Sequence, residues 1–163
     1  MTILVAYDGS ADSRAAIEFA AEHLAAEPTV VLTVWEPLLV QLRRYPLAGA
    51  AVLPNGPNGP YGSDGSDGEW RAQAERHAKE GAELATASGL TDVTHRAVAD
   101  RESIWKTIVD VADEVNASVI VTGSRGLAGA RSVLLGSVSN HVLHHARRPT
   151  LIVPPAKDRS AIG

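Results

Sequence analysis

The chain predicts an α/β fold, a doubly wound five-stranded parallel sheet with helices on both faces. Three observations predict it. Short apolar, β-branched runs alternate with longer stretches of helical period, in the order β-α-β-loop-α-β-α-β-α-β. That alternation calls for parallel strands joined by helical crossovers. Several runs are continuously apolar, as strands covered on both faces are. Finally, the run Val119-Ile120-Val121-Thr122 leads into a glycine-rich loop and then an amphipathic helix. At 163 residues, one domain over 1–163 is expected.

Taken in order, Thr2 to Tyr7 reads as a buried strand and Asp8-Gly9-Ser10 as the turn after it. Ser10 is a fitting N-cap for a helix over Ala11 to Ala26, with Ala16, Phe19, Ala20 and Leu24 facing inward. Pro28 precedes a second strand, Thr29 to Trp35, and Glu36-Pro37 ends it. Pro37 to Gly68 is too long for an ordinary connection. Its second half has glycine at every third place, 56, 59, 62, 65 and 68. That spacing is collagen-like but too brief for a triple helix, so a flexible Gly/Pro-rich surface insert is expected at 37–68. The first half, Leu38 to Leu53, is apolar with Arg43 and Arg44, and is expected to cover a sheet edge or meet a partner. Glu69 to Ser88 forms a second helix, with Ala72, Ala78, Ala82 and Ala85 inward and Gly89 at the C-terminal cap. Thr91 to Ala97 reads as the third strand, with Val93, His95 and Ala97 alternating. A third helix follows Ser103, with Ile104, Ile108, Val111, Ala112 and Val115 on one face. The fourth helix runs from Gly136 to about Arg147, and Thr150 to Val153 is the fifth strand.

The stretch from Val119 to Val138 organises the rest. Strand, glycine-rich loop and helix start together form an arrangement that holds phosphates. Glycines let the backbone approach closely and take positive φ, and a helix N-terminus presents free N–H groups and the positive end of its dipole. Ser137 and Ser139 add hydroxyls. The spacing is Gly123-x2-Gly126-x9-Gly136-Ser137. It is neither a Walker A loop, since no Lys-Ser or Lys-Thr follows the glycines, nor a G-x-G-x-x-G fingerprint. Turn glycines without a ligand are the competing reading.

The totals exclude several classes. The net charge of −4 argues against a general nucleic-acid binder. With no cysteine there is no disulfide framework, thiol catalysis or zinc–thiolate site. No apolar run reaches the roughly 18 residues of a membrane span. The N-terminus enters a strand at once without a basic leader, so a cytoplasmic location is expected. His141 and His145 share a helical face, but no third ligand has metal spacing beside them, and no metal site is assigned.

The loop pattern G-x2-G-x9-G-[S/T] resembles that of the universal stress protein family, in its ATP-binding subgroup. The opening Ile3-Leu4-Val5-Ala6-Tyr7-Asp8-Gly9-Ser10 and the closing Pro149-Thr150-Leu151-Ile152-Val153-Pro154 look like the family's first and last strands. Only Pro37 to Gly68 departs. The resemblance implies a strand order 3-2-1-4-5, an adenine nucleotide, and homodimers through the C-terminal strand. Carried over by position, Asp8 meets the ribose, Ala6 and Tyr7 line the base, Val34 contacts adenine and Ala99 closes the base pocket. Gly123, Arg125, Gly126, Gly136, Ser137, Val138 and Ser139 hold the ribose and phosphates. The ligand expected is ATP, with Mg²⁺ as a possible companion. AMP or cyclic AMP fits the sequence equally well.

The loop lacks a lysine for the β- and γ-phosphates, and no acidic metal anchor is evident beyond Asp8. Phosphoryl transfer needs both kinds of help. Binding with at most slow ATP hydrolysis is therefore expected, with no catalytic residue assigned. Three functions remain: a dimeric, ATP-binding stress-response regulator acting through an unknown protein partner; a slow ATPase in the same pocket; or an interaction module whose loop the insert occludes.

Overall fold

The computed structural model describes residues 1–24, 27–37, 40, 65–100, 102–125 and 135–155. Nine elements follow in chain order: β1 (Thr2–Ala6), α1 (Ala11–His23), β2 (Thr29–Trp35), α2 (Gly65–Ala87), β3 (Val93–Ala99), α3 (Ile104–Glu114), β4 (Ala117–Gly123), α4 (Ser137–His145) and β5 (Thr150–Val153). The five strands form one parallel sheet in the order β3-β2-β1-β4-β5. This is the doubly wound order that the resemblance implies.

Period-2 alternation along the strands separates two cores. Ile3, Val5, Tyr7 and Val31 pack on one face with Ala16, Ile17 and Ala20 of α1 and with Ala82 and Ala85 of α2. Leu4, Val30, Leu32 and Ile120 pack on the other with Ile108, Val111 and Ala112 of α3 and Val142 of α4. Alanines on α2 let that helix lie close to the sheet. At Gly81 a side chain would meet the Tyr7 ring and Val31 at 2.8 Å.

Element ends differ from the sequence reading where tertiary contacts decide them. α1 stops at His23, not Ala26: Leu24 turns to extended backbone while its N–H still reaches the Ala20 carbonyl. α2 begins at Gly65, four residues before the expected start at Glu69. The rest of the expected insert, apart from Pro37 and Val40, lies outside the described residues. β3 runs Val93–Ala99, not 91–97, because it pairs with β2 residue for residue to Trp35 and Ala99. As an edge strand it leaves His95 exposed, not buried in alternation. α4 ends at His145, and Arg147 lies beyond it with φ +48°. Arg148, just after it, donates to the Ala112 carbonyl at 3.0 Å, near the end of α3.

From β1 the chain winds outward through β2 and β3, then crosses back to β4 and β5 on the other side. The winding reverses between β1 and β4. Past the C-terminal ends of two such strands their connections part, and a crevice opens.

Candidate functional site at the ends of the first and fourth strands

Asp8 follows β1 in a tight turn. Its Oδ1 accepts from the Ser10 N–H at 2.9 Å. The turn needs Gly9, whose φ is +81°. Ser10 caps α1, its hydroxyl accepting from the Ser13 N–H, so Asp8 is not the helix cap.

Across the reversal, β4 ends at Gly123 with no room for a side chain. A Cβ there would lie 2.7 Å from the Asp12 backbone carbon. The following peptides form a hub. The Ser139 hydroxyl donates to the Gly123 carbonyl at 2.7 Å. The Gly136 N–H donates to the Ser124 carbonyl at 2.7 Å, and the Ser124 N–H to Val153 at 2.9 Å. Asp12 holds the corner from the other side. Its Oδ2 accepts from the Ser124 hydroxyl at 3.0 Å and the Arg125 N–H at 3.1 Å. Arg125 Nε stands 3.4 Å from the same oxygen.

Gly136 is the N-cap of α4, with φ −67° and no side-chain hydrogen bond to the first turn. The sequence reading allowed positive φ for the loop glycines; Gly136 and Gly123 both lack it. At Gly136 the reason for glycine is close approach, since a Cβ would stand 3.2 Å from the Ser124 carbonyl oxygen. The Asn140 N–H returns to the Gly136 carbonyl. The N–H groups of Ser137, Val138 and Ser139 precede that bond and, as in any first turn, lack intrahelical acceptors. Such an uncapped start attracts an anion.

The residues assigned from sequence are partly gathered here. Ala6, Val34 and Val138 pack on one apolar cluster, together with Val98, Ile104 and Trp105. Tyr7 lies on the opposite face, 2% exposed, and its hydroxyl donates to Glu80 at 3.0 Å. Burial, helped by that carboxylate, pushes its phenol up to about 12. Ala99 pairs with Trp35 at the sheet edge. By alternation its side chain leaves the face that Val98 and Val34 share. The Ser139 hydroxyl is committed to Gly123, and the Ser137 side chain is exposed. Gly126 lies outside the described residues.

Sequence reasoning missed Asp12, which looked like any acidic residue in a first helical turn. It also missed Val98, which lay beyond the expected end of the third strand and meets Val34 only through the observed register. Both histidines lie against a tryptophan. Trp105 lies 5.6 Å from the His141 ring and 4.6 Å from that of His145. Each imidazole Nδ1 faces a backbone carbonyl, of Ser137 and His141 respectively.

Comparison with known proteins agrees with this architecture. Residues 1–55 and 51–154 match the universal stress protein family. A universal stress protein of Mycolicibacterium smegmatis is 31% identical over 156 residues, covering 93% of this chain and 47% of that protein. The chain thus spans about half the length of that relative. Universal stress protein YxiE of Bacillus subtilis is 31% identical over 157 residues, covering 93% of this chain and 97% of YxiE. Among solved structures, a universal stress protein in complex with cAMP superposes with a TM-score of 0.62 at 25% identity, covering 96% of this chain and 98% of that one. With the sheet order, the reversal after β1 and the match along nearly its whole length, the chain belongs to the universal stress protein family.

Proposed function

We propose that this protein binds an adenine nucleotide, ATP first among them, in the crevice past β1 and β4, and that occupancy biases its association with a second copy and with a regulatory protein partner. The single observation carrying this reading is the start of α4. Its first turn has no side-chain cap, and it sits on the Ser124 corner directly across the winding reversal from Asp8. Phosphates fit the N–H groups of Ser137 and Val138. The ribose fits Asp8, and the base fits the apolar surface of Ala6, Val34, Val98 and Val138. Gly123, Gly136 and Ser139 shape the corner, Gly126 is assigned to the same phosphate site from the sequence pattern alone, and Ala99 and Tyr7 contribute backbone at the strand ends. The solved relative in complex with cAMP supports an adenine ligand and makes AMP and cyclic AMP the first competitors to test.

Calorimetric titration with ATP and Mg²⁺, AMP and cyclic AMP tests the reading, run beside Ser137→Glu. A carboxylate at the first turn repels phosphates while leaving the apolar crevice intact. Micromolar ATP binding weakened at least tenfold in Ser137→Glu is the expected result. No binding of any adenine nucleotide by the wild-type protein would overturn it.

A further inference from the structure

Asp12 is the second residue of α1 and the acidic residue of its first turn. A carboxylate there is ordinarily explained by the helix dipole alone. Here that explanation is incomplete. Ser10 already caps the helix, and Asp12 is 7% exposed instead of facing water. Among the described residues, the partners of its carboxylate lie across the winding reversal, more than a hundred residues away: the Ser124 hydroxyl, the Arg125 N–H and Arg125 Nε. The backbone of Asp12 also rests on Gly123. The Ser124 peptide that Asp12 grips is the one whose carbonyl holds the Gly136 N–H. One carboxylate therefore connects the turn that carries Asp8 to the helix start that carries Ser137.

A carboxylate this near a polyphosphate site would repel its ligand if left bare. Arg125 pairs with it, and the three donors on one oxygen fix its position. We propose that Asp12 is a positioning residue of the nucleotide site. It clamps the Ser124–Arg125 corner to α1 and so sets the reach between the ribose end at Asp8 and the phosphate end at α4. The inference rests on the nucleotide reading above, and goes beyond it by assigning phosphate affinity to a residue that touches no ligand.

The test compares ATP with adenosine, which shares the base and ribose but lacks the phosphates. Affinities are measured on the full chain by direct titration with ATP and by competition of adenosine against ATP. In Asp12→Ala, ATP is expected to weaken at least tenfold and adenosine less than threefold. Asp12→Asn keeps an acceptor oxygen for Ser124 and Arg125 and is expected to recover most of the ATP affinity. Should Asp12→Ala fail to fold in circular dichroism, Asp12→Glu replaces it: one extra methylene displaces the corner, and the same change in the ATP-to-adenosine ratio is expected. An unchanged ratio in the folded variants overturns the inference while wild-type ATP binding leaves the nucleotide reading standing. A wild-type protein that binds neither ligand removes the reading and this inference together.

Discussion

Two side chains and one missing side chain carry much of the local physics. Gly123 lies against the first turn of α1 with no space for a methyl group, the nearest Asp12 atoms being 2.7 Å from where it would sit. Backbone does not yield as a flexible side chain does. Gly123→Ala is expected to destabilise the fold by about 1–3 kcal/mol, measured as a lowered midpoint of urea unfolding. Tyr7 makes a pH-dependent contribution. Burial and the Glu80 carboxylate raise its phenol to about 12, so the fold favours the neutral form. This contribution is complete below the ordinary tyrosine value near 10 and is lost as pH climbs towards 12. Unfolding free energy should therefore fall between pH 10 and 12 in the wild type and fall less in Tyr7→Phe. Equal slopes in urea titrations at pH 9, 10.5 and 11.5 would contradict this account.

The start of α4 shows how one element serves two ends. A helix start without a side-chain cap is less stable than a capped one, and it is also where an anion is welcome. These opposing demands make Ser137→Glu informative beyond binding. The carboxylate compensates the dipole and should stabilise the free protein by about 0.3–1 kcal/mol, while weakening ATP at least tenfold. Opposite signs in melting temperature and in affinity are the signature of an anion-binding helix start. A loss of both would instead mark the residue as structural. The α3–α4 pair shows a different use of side chains: Trp105 lies against both His141 and His145, whose rings also stack on each other, so the two histidines that share a helical face take part in aromatic packing.

The sheet as a whole has two unlike edges. β3 carries Thr94, His95 and Arg96, with Arg96 paired to Glu114 at 3.0 Å. Charged edges of this kind resist further pairing. β5 is Thr150-Leu151-Ile152-Val153, and among the described residues its outer side pairs with no strand. The Ile120 N–H donates to Pro149 and the Ser124 N–H to Val153. By the period of a parallel ladder, Thr150 and Ile152 then turn their N–H groups outward. If a second copy pairs there, Ile152→Pro removes an outward donor without breaking the inner ladder. It is expected to convert a dimer to a monomer in sedimentation equilibrium and to leave ATP affinity within threefold. No helix among the described residues is long and apolar enough to cross a membrane.

Much of this was legible in the chain. Apolar runs of β-branched residues, with alternating helical periods between them, are local signals, and they determined the five strands, the parallel sheet and the wrapping of helices on both sides. The glycine spacing after Thr122 and the turn at Asp8 pointed to the two strand ends that meet at the winding reversal. Tertiary structure alone decided which face each side chain serves and who its partner is. It turned Tyr7 into the α1–α2 core while Ala6 faced α3 and α4. It shifted β3 by two residues to meet β2, and of the two reasons for glycine at positions 123 and 136 it kept close approach and dropped positive φ. It also took Asp12 from a helix turn and set it as the link between α1 and the loop. Such pairings join residues more than a hundred positions apart. Their energy comes from burial and hydrogen-bond geometry that exist only once the sheet has assembled, so no local pattern in the sequence can announce them.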